Sequence, residues 1–122
     1  MRSLSAGKSA FFVRILITIT PRLYREVLAL SIHHRYPDYE VLLAPPDSLD
    51  GEAEHFGPHV LVQDADEAEL PPALAEGVLC RIRVFITDRV DATIELDGKI
   101  SEVHDACLED LFEVLQEAEG LL

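Results

Sequence analysis

The run VRILITI, Val13 to Ile19, constrains this chain more than any other feature. It is β-branched through most of its length and carries one charge. A short apolar run of that kind forms a strand buried on both faces, and such strands belong to a parallel sheet with helices packed on either side. The next residues extend the pattern. Thr20 and Pro21 pair a cap hydroxyl with a proline suited to the first helical position, and Leu23, Val27, Leu30 and His34 follow at helical spacing. The spacing predicts a helix from Pro21 to about Arg35.

Tyr36, Pro37 and Asp38 break that helix, and Glu40 to Ala44 reads as a second strand ending at Pro45 and Pro46. Asp47 or Ser48 can cap a weak helix through Phe56, stopped by Gly57 and Pro58, before a third strand over His59 to Gln63. From Asp64 to Gly77 the chain is acidic and alanine-rich, and only the stretch after Pro72 suits a short helix. Val78 to Thr87 is expected as a fourth strand and Ala92 to Leu96 as a fifth. The gap Asp88 to Asp91 is too short for a crossover helix, which needs about a dozen residues. Asp97-Gly98 is a hairpin dipeptide and leaves a hairpin here open, although a two-residue loop would set Glu95 against Ile100 and mismatch the apolar faces. Asp105 can cap a final helix with Leu108, Leu111, Phe112 and Leu115 as its apolar stripe, ending near Gly120. The expected fold is an α/β three-layer sandwich around a mostly parallel five-stranded sheet, with the third and fourth helices reduced.

With 122 residues the chain suits one domain, which we place at residues 13–122 behind a leader of residues 1–12, MRSLSAGKSAFF. Hydrophobic residues are 48% and charged residues 27%, the balance of a globular chain and not a disordered one. The formal net charge of −13 repels nucleic acid and anionic membrane alike. Arg22, Arg25 and Arg35 share the first helix, but Glu26 interrupts them, as on a solvated face. No apolar run approaches the roughly 18 residues that span a bilayer, and no signal-peptide pattern is present, which points to the cytoplasm. Cys80 and Cys107 lack a partner motif and read as buried thiols.

Around the third strand the residues Pro58, His59, Val60, Leu61, Val62, Gln63 and Asp64 follow a proline, buried strand, aspartate order. That order, the run Val84, Phe85, Ile86 and Thr87, and Lys99 beyond the fifth strand together resemble the receiver domain of two-component signalling. The resemblance implies a flavodoxin-like fold, Asp64 as the phospho-acceptor equivalent, and Thr87 and Lys99 as the switch equivalents. It also marks departures. Active receivers hold magnesium with an acidic pair at the end of the first strand, whereas this chain has Thr18, Ile19, Thr20 and Pro21 there. Ile100 stands where the family has a proline. The expectation is a degenerate receiver: a non-catalytic regulatory or protein-interaction domain with no metal and no cofactor, Asp64 being inactive.

Two other readings are carried forward. One is a working phospho-acceptor with a partial metal site of Asp64, Asp66 and Asp88. The other is a nucleotide or flavin bound at the carboxyl ends of the strands, near Thr18 and Thr20, although Pro21 removes an amide donor there. His33, His34, His55, His59 and His104 are too scattered to grip one ion, and no nucleophile elbow is present. The expected partner is a protein, and the stripe Leu108, Leu111, Phe112 and Leu115 is the expected homodimer surface.

Overall fold

The computed structural model of the chain describes residues 13–48, 51–67 and 72–122. The leader expected at residues 1–12 lies outside them, so its Phe11 and Phe12 are not placed. The elements run β1 (Arg14–Ile17), α1 (Arg22–Arg35), β2 (Glu40–Leu43), a 3₁₀ turn (Pro46–Ser48), α2 (Gly51–Phe56), β3 (Val60–Asp64), α3 (Pro72–Ala75), β4 (Cys80–Ile86), β5 (Val90–Leu96), β6 (Lys99–Val103) and α4 (Leu108–Glu119).

The six strands lie side by side in the order β2-β1-β3-β4-β5-β6. β2, β1, β3 and β4 are parallel, whereas β5 and β6 are antiparallel to their neighbours. This corrects the expectation of a mostly parallel five-stranded, receiver-like sheet. The physical reason lies in two short connections. Thr87 to Arg89 cannot carry a crossover helix, so the chain turns back at once and β5 pairs antiparallel with β4. Asp97 (φ 52°) and Gly98 (φ 80°) then adopt the two left-handed conformations of a tight hairpin, and β6 becomes a sixth strand. Glu95 does sit opposite Ile100. The mismatch is tolerated because both residues are exposed, Ile100 on the edge strand β6.

Strand alternation divides the core in two. One side of each strand contributes Ile15, Ile17, Val60, Val62, Cys80, Ile82 and Ile94 to the larger cluster, which α1 covers with Ile32 and α4 with Phe112, Leu115 and Ala118. The other side contributes Leu16 and Leu61 to a small cluster closed by Ala53 of α2 and Leu74 of α3. The two long helices therefore share one face.

The ends of those helices are built differently from the expectation. α1 is preceded by Pro21 as its N-cap, after a cis Thr20-Pro21 peptide, and no side chain caps it. Thr20 instead turns its hydroxyl to Asp64. α4 is capped at Cys107, not Asp105: the Cys107 amide donates to Asp110 Oδ2 at 2.9 Å in a capping box. Of the two thiols expected to be buried, Cys80 is buried and Cys107 is exposed.

At the opposite end of the sheet the Arg14 amide donates to Nδ1 of His59 at 3.0 Å. Burial, and next the Arg14 charge, hold His59 below the ordinary imidazole range, with Glu40 opposing. The neutral ring is the form that accepts this bond. Because the folded pKa is depressed, the stabilisation is complete above the unfolded value of about 6.5 and is lost as pH falls through the folded one. His59→Asn keeps an acceptor and removes the titration. The wild type is expected to lose more melting temperature than His59→Asn between about pH 7.5 and about pH 5.5, read by thermal circular dichroism; equal losses would refute the assignment.

Candidate functional site

Two concave regions open at the carboxyl ends of the parallel strands, where α/β sheets place ligands. The first is the crevice between β1 and β3, from which the chain departs in opposite directions to β2 and β4. A polar network fills it. Thr18, fully buried, donates from Oγ1 to Glu67 Oε1 at 2.8 Å, and Gln63 Nε2 donates to Glu67 Oε2 at 2.8 Å. Arg81 Nε donates to Gln63 Oε1. Beside this chain of groups Asp64 accepts from the Thr20 amide at 3.1 Å and from the Thr20 hydroxyl.

The switch residues implied by the receiver resemblance are far apart. Asp64 aligns through the ladder with Val84, Ala92 and Val103 at one end of the sheet, whereas Lys99 aligns with Leu96, Cys80 and Val60 at the other. Four residues of strand and three strand spacings separate them, roughly 13 Å along and 14 Å across. Thr87 is exposed past the end of β4 and donates to Asp88 Oδ1 at 3.1 Å. Asp66 is exposed. Among the described residues no group of three or more His, Cys, Asp or Glu side chains could hold a metal ion.

The second region is a cleft of about 620 Å³ between α1 and α4. Both helices run from the carboxyl to the amino end of the parallel strands. They meet at the amino end, where Tyr36 stacks on Tyr39 at 4.5 Å between centroids and presents its edge to Phe112 at 5.8 Å. Tyr39 donates its hydroxyl to Glu119; burial first, and then this carboxylate, push the phenol pKa well up, so the ring stays protonated and the contact stays intact at any ordinary pH. From this joint the helices splay. Leu23, Tyr24 and Val27 of α1 and Leu108, Leu111 and Val114 of α4 form the walls, and Val62, Ile82, Val84, Ala92 and Ile94 the floor.

Polar groups collect only at the mouth, as Thr87, Asp88, Arg89 and Asp110. One edge of the mouth is braced: Asp91 accepts from the Asp105 amide at 3.1 Å and lies 3.3 Å from Arg89 Nε. The amide bond, and less strongly the Arg89 and His104 charges, hold the Asp91 carboxyl below its ordinary range. The cleft thus has an apolar interior and a fixed polar rim.

The stripe of the final helix is divided by this arrangement. Leu115 and Phe112 are buried in the main cluster, while Leu108 is exposed and Leu111 half-buried at the cleft wall. α1 holds the larger surprise. The helical spacing of Leu23, Val27 and Leu30 is real, but these residues are 63%, 51% and 69% exposed. The buried side of the helix is Ile32 with Leu28 and Ala29, together with Arg25, whose Nη1 donates to the Ile19 carbonyl at 3.1 Å. At 3.6 residues per turn the leucine ridge points directly away from the sheet. A sequence signal for this did exist, since α1 carries two apolar stripes where one suffices for a surface helix.

No family model, no curated protein and no solved structure matches the chain.

Proposed function

We propose that this chain is a non-catalytic protein-interaction domain, regulatory in role, whose working surface is the cleft between α1 and α4. What carries the reading is a large apolar concavity with its polar groups confined to the rim, at the end of the sheet where this architecture binds. The exposed apolar residues beside it strengthen the case. Leu23 and Val27 on one wall and Leu108 on the other are exposed apolar residues, of the kind that mark an interaction surface. A nucleotide or flavin fits this interior poorly, because phosphates need the amide or cation donors that the walls lack. The groups that a phospho-acceptor would use are engaged elsewhere: Asp64 is held by Thr20, and Lys99 lies at the other end of the sheet. An apolar segment of a protein suits the cleft, since a helix laid into a hydrophobic groove presents side chains at i, i+3, i+4 and i+7 to such walls.

The uncharged dye Nile red tests the concavity directly. Dilute protein is expected to bind it with a blue shift in emission, and Ala106→Trp, which fills the mouth from a loop, to weaken binding at least about tenfold. Unchanged far-ultraviolet circular dichroism would show that the variant remains folded. Absence of dye binding, or binding indifferent to the filled mouth, would overturn the reading.

A further inference from the structure

We propose that the segment seated in this cleft is α1 of a second copy of the same chain, so that two copies form a two-fold dimer with each leucine ridge in the other's groove. The inference rests on the cleft being the working surface. Three observations select this occupant.

The first is shape. The chain carries a convex apolar ridge, Leu23, Val27 and Leu30, on the side of α1 opposite its own core, and a concave apolar groove immediately beside that helix. Ridge and groove are too close together for one copy to fill its own groove with its own ridge. A two-fold axis solves this, because an isologous interface lets every copy give its ridge and receive one. The second is spacing. The ridge follows the i, i+4, i+7 pattern that groove-bound helices use, and it is uninterrupted by charge.

The third is charge. α4, the far wall of the groove, carries Glu109, Asp110, Glu113, Glu117 and Glu119 and no basic residue. An incoming helix must tolerate that field. With its histidines neutral, α1 carries Arg22, Arg25 and Arg35 against the single acidic residue Glu26, which Arg22 pairs at 2.6 Å, so the helix is net positive. In a chain with a net charge of −13, α1 is the helix whose charge suits the α4 wall. The overall repulsion between copies is screened within about 8 Å at physiological ionic strength, so apolar burial and the local α1–α4 contrast decide the outcome.

Sedimentation equilibrium of the full chain tests the proposal. The wild type is expected to dimerise, giving twice the 13.6 kDa chain mass. Leu30→Glu, the ridge position that does not line the groove, is expected to weaken association at least about tenfold. Leu30 is 69% exposed in the single copy, so the circular dichroism spectrum should not change; Leu30→Lys repeats the test should Leu30→Glu fold poorly. Nile red supplies the second measurement, since bound dye is expected to be released as wild-type protein concentration rises and retained by the Leu30 variant, whose substituted residue lies outside the cleft lining. A monomeric wild type that binds dye overturns the second-copy proposal and leaves the cleft reading standing. A monomer that binds none overturns both. A dimer indifferent to the ridge substitutions overturns the proposed surface.

Discussion

Leu115→Ala is expected to lower the unfolding free energy by about 3 kcal/mol and the melting temperature by about 12 °C. Leu115 is fully buried at the centre of α4, within the cluster that joins the helix to the sheet and to Tyr36 and Tyr39. Deleting three methyl or methylene carbons there loses their transfer free energy and leaves a cavity, and losses of this class span roughly 2–5 kcal/mol. The value falls in the lower half of that span because α4 borders an open cleft, and a helix with a free side can settle toward the void. Leu30→Ala is the paired control. Leu30 is larger than the alanine by the same atoms but faces solvent, so in dilute protein its loss should stay within about 0.5 kcal/mol. Urea unfolding followed by circular dichroism measures both. Equal costs would mean that the face assigned to one of the two helices is wrong.

That contrast shows where the sequence could be read and where it could not. The strand Arg14–Ile17, the first helix and the final helix were all legible, because each is a strong local period that tertiary contacts leave in place. The antiparallel return into β5 was half-legible: the short gap after Thr87 excluded a crossover helix, but the parallel expectation prevailed over it. β6 was lost for a different reason. KISEV at Lys99–Val103 is an exposed edge strand with little apolar content, and its pairing shows only in the left-handed Asp97 and Gly98 turn. The ridge of α1 was seen as a period and not as an outward face, since periodicity gives the stripe and says nothing of which stripe meets the sheet. Arg25 within the buried stripe made the outward leucines look like the core side. The cleft itself was beyond any local reading. It exists because two helices far apart in sequence touch at one end through Tyr36 and Phe112 and part at the other.

The receiver resemblance is best judged at the crevice between β1 and β3, where Gln63→Leu is expected to cost about 2 kcal/mol. Gln63 is 1% exposed and joins two charged partners: its amide nitrogen donates to Glu67, and its carbonyl accepts from the Arg81 guanidinium. Leucine fills nearly the same volume, so the loss is of hydrogen bonds and not of packing. Bonds to charged groups contribute about 1.5–3 kcal/mol each, and Glu67 retains its bond from Thr18, which keeps the net cost near the middle of that range. Gln63→Glu goes further and carries a pH signature. The introduced carboxyl would lie against Glu67, whose oxygen is now 2.8 Å from the Gln63 amide, and two carboxylates at that separation share one proton. The pKa of the pair is then raised in the folded state, so the variant should be closest to wild type in mild acid and lose stability as pH rises through that value. A wild-type-like stability profile at neutral pH would show that the network is not closed as described. If it is closed, the place where a receiver gathers carboxylates around magnesium is here knitted shut by Thr18, Gln63, Glu67 and Arg81, because each of these side chains is already bonded to a neighbour.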